Sequence, residues 1–179
     1  MAVLFTVRNK YFPDDIKPNI IIPYAQKGPI IDSVKLILAI QGLRPRMVKM
    51  NDEFSYYFLL KELWEKGEPF IIVEHDIIPF PGAVQELWTN PEPWCGYPYY
   101  LSGELKSYLG CTKFDPKLLG EFPLPEEPIA WLYLDRKIES ELIRRGYKNY
   151  VYPTGVSHLH FGHVRQTDLF LEHPDFWVE

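Results

Sequence analysis

Apolar positions in the first part of this chain follow two alternating rhythms. Ile20-Ile21-Ile22-Pro23 and Phe70-Ile71-Ile72-Val73 are short continuous runs, as expected of buried strands, and Met47 to Met50 reads as a further strand of the series. Between them Ile31, Val34 and Leu38 recur at helical spacing until Gly42 and Pro45 end the helix. Tyr57, Leu60 and Trp64 share one face of a second helix expected from about Glu53 to Lys66, capped by Asn51 or Asp52 and closed by Gly67 and Pro69. Strand, helix, strand, helix, strand is the grammar of a parallel sheet with crossover helices.

Punctuation is denser elsewhere. Val3 to Val7 can form a strand, and Tyr11 to Pro18 reads as a Pro/Asp-rich connection. Pro79 and Pro81 are expected to break the chain before a short helix carrying Val84, Leu87 and Trp88. The aromatic, Gly/Pro-interrupted stretch from Trp94 to Leu101 suits an irregular strand or a pocket wall better than a central strand. Asp115-Pro116 sets a cap and first-turn proline for a short helix through Leu119. A stronger helix is expected to begin at Asp135, with Ile138 and Leu142 inward, Arg144 and Arg145 at its negative end, and Gly146 as its stop. Tyr150 to Tyr152 reads as a last strand, followed by a histidine-rich turn. With no internal repeat, residues 1–179 form a single domain, with 1–18 an unassigned extension and about 164–179 a mobile tail.

Composition narrows the function. The chain has 179 residues, 46 % hydrophobic and 24 % charged, which is the balance of a globular protein with one continuous core. A net charge of -5 offers no general attraction to phosphate backbones, so duplex nucleic acid is a poor partner. Neither cysteine, Cys95 nor Cys111, sits in a C-x-x-C pair, so both read as buried free thiols in a reducing, cytoplasmic setting. No signal-peptide pattern opens the chain, and no apolar run approaches the ~20 residues that span a bilayer.

The candidate chemistry centres on Glu74-His75-Asp76. The strand from Phe70 runs straight into them, and its pleat is expected to point Glu74 and Asp76 the same way at the strand's exit and to turn His75 to the other face. Ligands of open α/β sheets bind at that end, and two hard oxygen donors suit Mn²⁺ or Mg²⁺; an ordinary acidic turn is the alternative. His158, His160 and His163 form a second cluster, able to complete a Mn²⁺ shell or to build a zinc site together. Asp135 is either a general base or an ordinary helix N-cap, with Glu126 and Glu127 as fallback bases.

Three segments, in this order, resemble the GT-A fold of nucleotide-sugar glycosyltransferases, especially its large inverting family. Ile20-Ile21-Ile22-Pro23-Tyr24 is similar to the opening strand of that fold. Residues 67–76, with Pro79, Gly82 and Leu87 after them, are similar to the strand carrying the D-x-D metal motif and the helix behind it. Residues 135–147, continuing to Pro153 and His158, resemble the acidic residue, helix, glycine, strand and metal-binding histidine that close the catalytic domain. The resemblance covers about residues 19 to 160. It departs from the family's pattern at Glu74, where an Asp is usual, and at Leu134, where an acid commonly precedes the catalytic Asp.

The resemblance implies a GT-A-like α/β sandwich, its central sheet mainly parallel and flanked by helices. It also implies a metal-dependent, inverting transfer of a sugar from a nucleoside diphosphate donor, UDP foremost, to a hydroxyl acceptor. By the same resemblance Asp76 and His158 would ligate the metal and Glu74 would meet the ribose or a metal-bound water. Tyr24 and Asp52 would contact the nucleotide, and Asp135 would be the base. Trp94, Tyr97 and Trp131 are candidates for the acceptor pocket, since sugars stack their C–H faces on aromatic rings, though each can equally be core. Two alternatives stand beside this. A nucleotidyltransferase would normally show a Gly-rich basic loop, whereas Tyr24-Ala25-Gln26-Lys27-Gly28 offers one Gly and one Lys. A degenerate GT-A domain would bind a glycan or partner without turnover.

Overall fold

The computed structural model describes residues 17–25, 29–101, 104–106, 109–147, 150–151, 155–160 and 163–164. Val3 to Val7 and the C-terminal tail lie outside them. The first half is built as the apolar rhythm dictates: β1 (Ile20–Tyr24), α1 (Pro29–Ile40), β2 (Arg46–Lys49), α2 (Ser55–Lys66) and β3 (Phe70–Val73). β1 pairs in parallel with both β2 and β3. Within each strand alternate residues serve opposite layers. Ile20, Ile22, Ile71 and Val73 pack beneath α1 and α3, whereas Ile21, Phe70 and Ile72 pack beneath α2 and α5. Burying each such aliphatic or aromatic side chain contributes about 1.5–3 kcal/mol. α2 ends as expected, with Gly67 at φ 65 and its N–H on the Trp64 carbonyl.

Several expectations change. The β3 strand stops at Val73, because the Ile77 N–H donates to the Glu74 carbonyl at 3.0 Å and closes a turn through residues 74–77. Pro79 does not merely break the chain; it ends β4 (Ile77–Pro79), which pairs antiparallel with β10 (Val156–His160). After α3 (Ala83–Thr89), β5 (Trp94–Gly96) is an inner strand of the main sheet rather than a pocket wall. β6 (Tyr99–Leu101) and β7 (Glu104–Lys106) form a separate hairpin. The histidine-rich segment is likewise a hairpin, β10 with β11 (His163–Val164), in which His160 lies opposite His163.

β8 (Cys111–Phe114) carries no strong sequence signal, yet it is the strand that joins the two halves. It runs antiparallel between β3 and β5, and β5 pairs in parallel with β9 (Tyr150–Val151). The six-stranded order is β2-β1-β3-β8-β5-β9, parallel throughout except for β8. α4 (Pro116–Glu121) starts as read, its Asp115 side chain accepting the Lys117 N–H at 3.3 Å. α5 spans Trp131–Arg144, a full turn earlier than the Asp135 start expected. Its inward stripe of Leu134, Ile138 and Leu142 extends back through Trp131, whose N–H donates to the Glu53 carbonyl at 2.8 Å. Among the described residues, no helix is long and apolar enough to cross a membrane.

Candidate functional site

β1, β2 and β3 are parallel, so the residues that follow them collect at one edge of the sheet. Ala25 follows β1, and Met50, Asn51, Asp52 and Glu53 follow β2. With Ala130, Trp131, Leu132 and Tyr133 from the start of α5, they line a cavity of about 660 Å³. That size is in the range of pockets that enclose a small molecule. The Met50 N–H on the Tyr24 carbonyl, 2.8 Å, fixes one wall. Asp52 accepts from the Phe54 N–H and the Ser55 hydroxyl, both at 2.9 Å, and these bonds hold its carboxyl below the usual range, so it stays charged. Asp52 therefore shapes the turn before α2, whose N-cap is Phe54.

Glu74 follows β3. Its N–H donates to the Gly110 carbonyl on the approach to β8 at 2.8 Å, and its Oε1 accepts from the Tyr56 hydroxyl at 3.3 Å. The residue keeps some surface, but its carboxyl lies deep. Burial pushes it up to about 8, with the charges of Asp76 and Asp135 adding to the rise. Asp135, half-buried on α5, is raised chiefly by burial, and the Arg136 N–H, 2.6 Å from its Oδ1, opposes the rise.

The turn overturns the expected facing of residue 75. His75 does not point away; its ring meets Trp131 edge-on with centroids 6.2 Å apart. Trp131 in turn meets Tyr56 at 5.4 Å. His75 Nδ1 is buried and has no hydrogen-bond partner. Glu74, His75, Asp76, Tyr56, Trp131 and Asp135 thus form one connected patch, where a strict pleat would have divided them.

Other expected site residues fall elsewhere. Trp94, 2 % exposed, and Tyr97, fully buried, belong to the two cores, and Tyr97 donates to the Ala83 carbonyl at 3.3 Å. A Cβ on Gly155 would land on the Tyr97 ring, so that close approach requires glycine. Tyr24 packs partly against the apolar layer, and Ala25 takes its place at the cavity. Asp135 is not an N-cap, since Ala130 holds that position. Glu126 and Glu127 are exposed. Leu134 is fully buried in the core, a position hostile to the acid usual in the resembling family. His158 lies opposite Ile77 in the β10–β4 ladder, one residue beyond Asp76, while the side chains of His158, His160 and His163 lie outside the described residues. Among the described residues no three His, Cys, Asp or Glu side chains assemble a ready-made ion site. The patch around His75 and the β8 strand had escaped the sequence reading; the unbroken apolar character of residues 70–73 hid the turn after them.

No protein-family model matches the chain, and no curated protein matches it. Solved structures do. The protein A197 from STIV superposes with a TM-score of 0.63 at 13 % identity, covering 82 % of this chain and 87 % of that one. The two share a fold. A glycosyltransferase involved in glycosylation of the major capsid of PBCV-1 aligns at a TM-score of 0.46 and 13 % identity, over 76 % of this chain and 82 % of that one. A protein from Bacillus anthracis assigned as a glucose-1-phosphate thymidylyltransferase, solved with a sucrose, aligns at 0.44 and 12 % identity, over 79 % and 72 %. Both scores are too low to establish a common fold.

Proposed function

We propose that the chain is a metal-dependent glycosyltransferase that moves a sugar from a nucleoside diphosphate donor, UDP foremost, to a hydroxyl acceptor with inversion. The reading is supported by the convergence of Glu74, Asp76 and Asp135 beside a cavity built at the carboxyl ends of parallel strands, where open α/β sheets bind their ligands.

The donor set suits Mn²⁺ or Mg²⁺. Glu74 is held up to about 8 by burial beside other acids, and a hard cation would relieve that crowding. Such ions often take only one or two carboxylates and complete their shell with water and substrate phosphate, so a protein cage of three ligands is not required. Asp76 and Glu74 would hold the ion, with His158 as a third donor from the strand facing Ile77. Bound there, it would neutralise charge developing on the departing diphosphate.

The chain's own groups divide the remaining work. Asp52, kept charged by its turn, accepts from an N–H edge of the base, and Ala25 leaves room for the ring. Asp135 takes the proton from the acceptor hydroxyl as that oxygen attacks the anomeric carbon opposite the leaving diphosphate. Its placement one turn inside α5 frees its carboxylate from the demands of capping. Tyr56 fixes the Glu74 carboxyl through its hydroxyl.

The test is nucleoside diphosphate release from a panel of sugar nucleotides, with Mn²⁺ and with a chelator. Release that needs the metal supports the reading. No release from any donor sinks it in favour of a binding module, and pyrophosphate release from a nucleoside triphosphate with a sugar phosphate sinks it in favour of a nucleotidyltransferase.

A further inference from the structure

We infer that the chain pairs with a second copy of itself through the outward face of α1, the two helices lying antiparallel about a two-fold axis with Leu36 of each against Ile40 of the other. The helix carries apolar residues on two faces where its place in the fold uses one. Ile31, Val34 and Leu38 are buried in the core, while Leu36 and Ile40, one turn apart on the opposite side, are 60 % and 58 % exposed. Ala39 beside them is exposed too, and its small side chain lets another helix approach closely.

The charges that bracket this face match a second copy. Asp32, in the first turn of α1, precedes Leu36 by four residues and stands in the same row. Arg44 lies just past the other end of the helix. There Gly42, at φ 77, turns the chain back, with the Leu43 N–H on the Leu38 carbonyl and the Gly42 N–H on the Ala39 carbonyl, both at 2.9 Å. Asp32 and Arg44 are exposed, and neither forms an ion pair with another described residue. A two-fold axis that sets Leu36 against Ile40 sets Asp32 against Arg44 by the same step of four residues, once on each side of the axis.

Other occupants fit less well. A membrane surface selects a helix with a basic polar face, whereas α1 has an acid in line with its exposed apolar residues. Joining of copies through the sheet is opposed at β2, the edge strand that α1 leads into, because Arg46 and Lys49 stand exposed at its two ends. One helix face is smaller than the roughly 800 Å² per partner of a standard interface, so the pair is expected to be weak.

The test is analytical ultracentrifugation of the full chain from about 5 µM to about 500 µM, at low ionic strength, where exposed charges are least screened. The parent is expected to pass from monomer to dimer within that range. Leu36→Arg should stay monomeric while keeping the parent's circular dichroism. Asp32→Arg and Arg44→Asp, each alone, bring like charges together and should weaken pairing about tenfold. Mixed in equal amounts, the two variants supply each other's opposite charges on both sides of the axis, and a heterodimer about as tight as the parent pair should form. A parent that stays monomeric overturns the inference and leaves the face to another segment of this chain or to a different partner. So does a dimer that Leu36→Arg leaves intact. A dimer in which mixing the charge variants brings no recovery overturns it as well, because the copies then meet in another register.

Discussion

The turn after β3 and the first turns of α5 both bring an acid to the same cleft, and they treat it in opposite ways. Glu74 is packed deep, with the Tyr56 hydroxyl as its counterweight, and is held up to about 8. Asp135 is also raised by burial, but there the Arg136 N–H and guanidinium favour the charged form. The contrast matches the roles proposed for the two acids. A carboxyl that keeps its proton at neutral pH waits for a cation to displace it, whereas a proton acceptor must already be charged.

The comparison breaks most readily at its metal-binding side. Asp76→Asn should abolish turnover and Mn²⁺-dependent donor binding while the circular dichroism of the fold is kept; full activity in the folded variant would remove the metal assignment. On the other side, Asp135→Asn should lower the rate by about 10²- to 10⁴-fold with donor affinity retained. Because Asp135 is inside α5, Asp135→Ala should also escape the ~1 kcal/mol loss of a deleted cap, which thermal melting measures.

A pH series sharpens the contrast further. The folded Glu74 holds a proton that the unfolded chain releases near 4.5, so its contribution to stability falls as pH rises from about 4.5 through about 8. Glu74→Gln lacks that loss. Its melting temperature should gain on the parent between pH 5 and pH 9 in metal-free buffer, and parallel profiles would show that Glu74 is not held protonated. The smallest effect is expected from Tyr56→Phe, about 1 kcal/mol of stability, with the Glu74 carboxyl moving further upward once the donated hydrogen bond is gone.

The sheet and its helices were legible because residues 20–72 repeat local patterns that tertiary packing only confirms. Ile20 to Ile22, the Ile31–Val34–Leu38 face and Gly67 each carry their own structural reason. The site was less legible where a contact from afar decides the local geometry. Gly110 and Ile77 bend Glu74 off its strand, and the Glu53 carbonyl starts α5 ahead of Asp135. Nothing in Phe70 to Asp76 announces the bend. Trp94 and Tyr97 failed as pocket residues for a related reason, since aromatic bulk suits a pocket and a core alike and only the neighbouring strands choose.

The antiparallel strand β8 also sets an order of assembly. β1, β2 and β3 are joined by short helical crossovers, so their pairing closes small loops and can form early. β5 and β9 have no place in the sheet until residues 111–114 have come back alongside β3. Glu74, whose amide is tied to Gly110, sits on the seam between the early half and the late one. The carboxylates of the proposed site are therefore expected to come together only when the second half docks, and an opening that releases β8 is expected to separate them while β1 to β3 remain paired. Amide hydrogen exchange at Glu74 should accordingly follow β8, not β1.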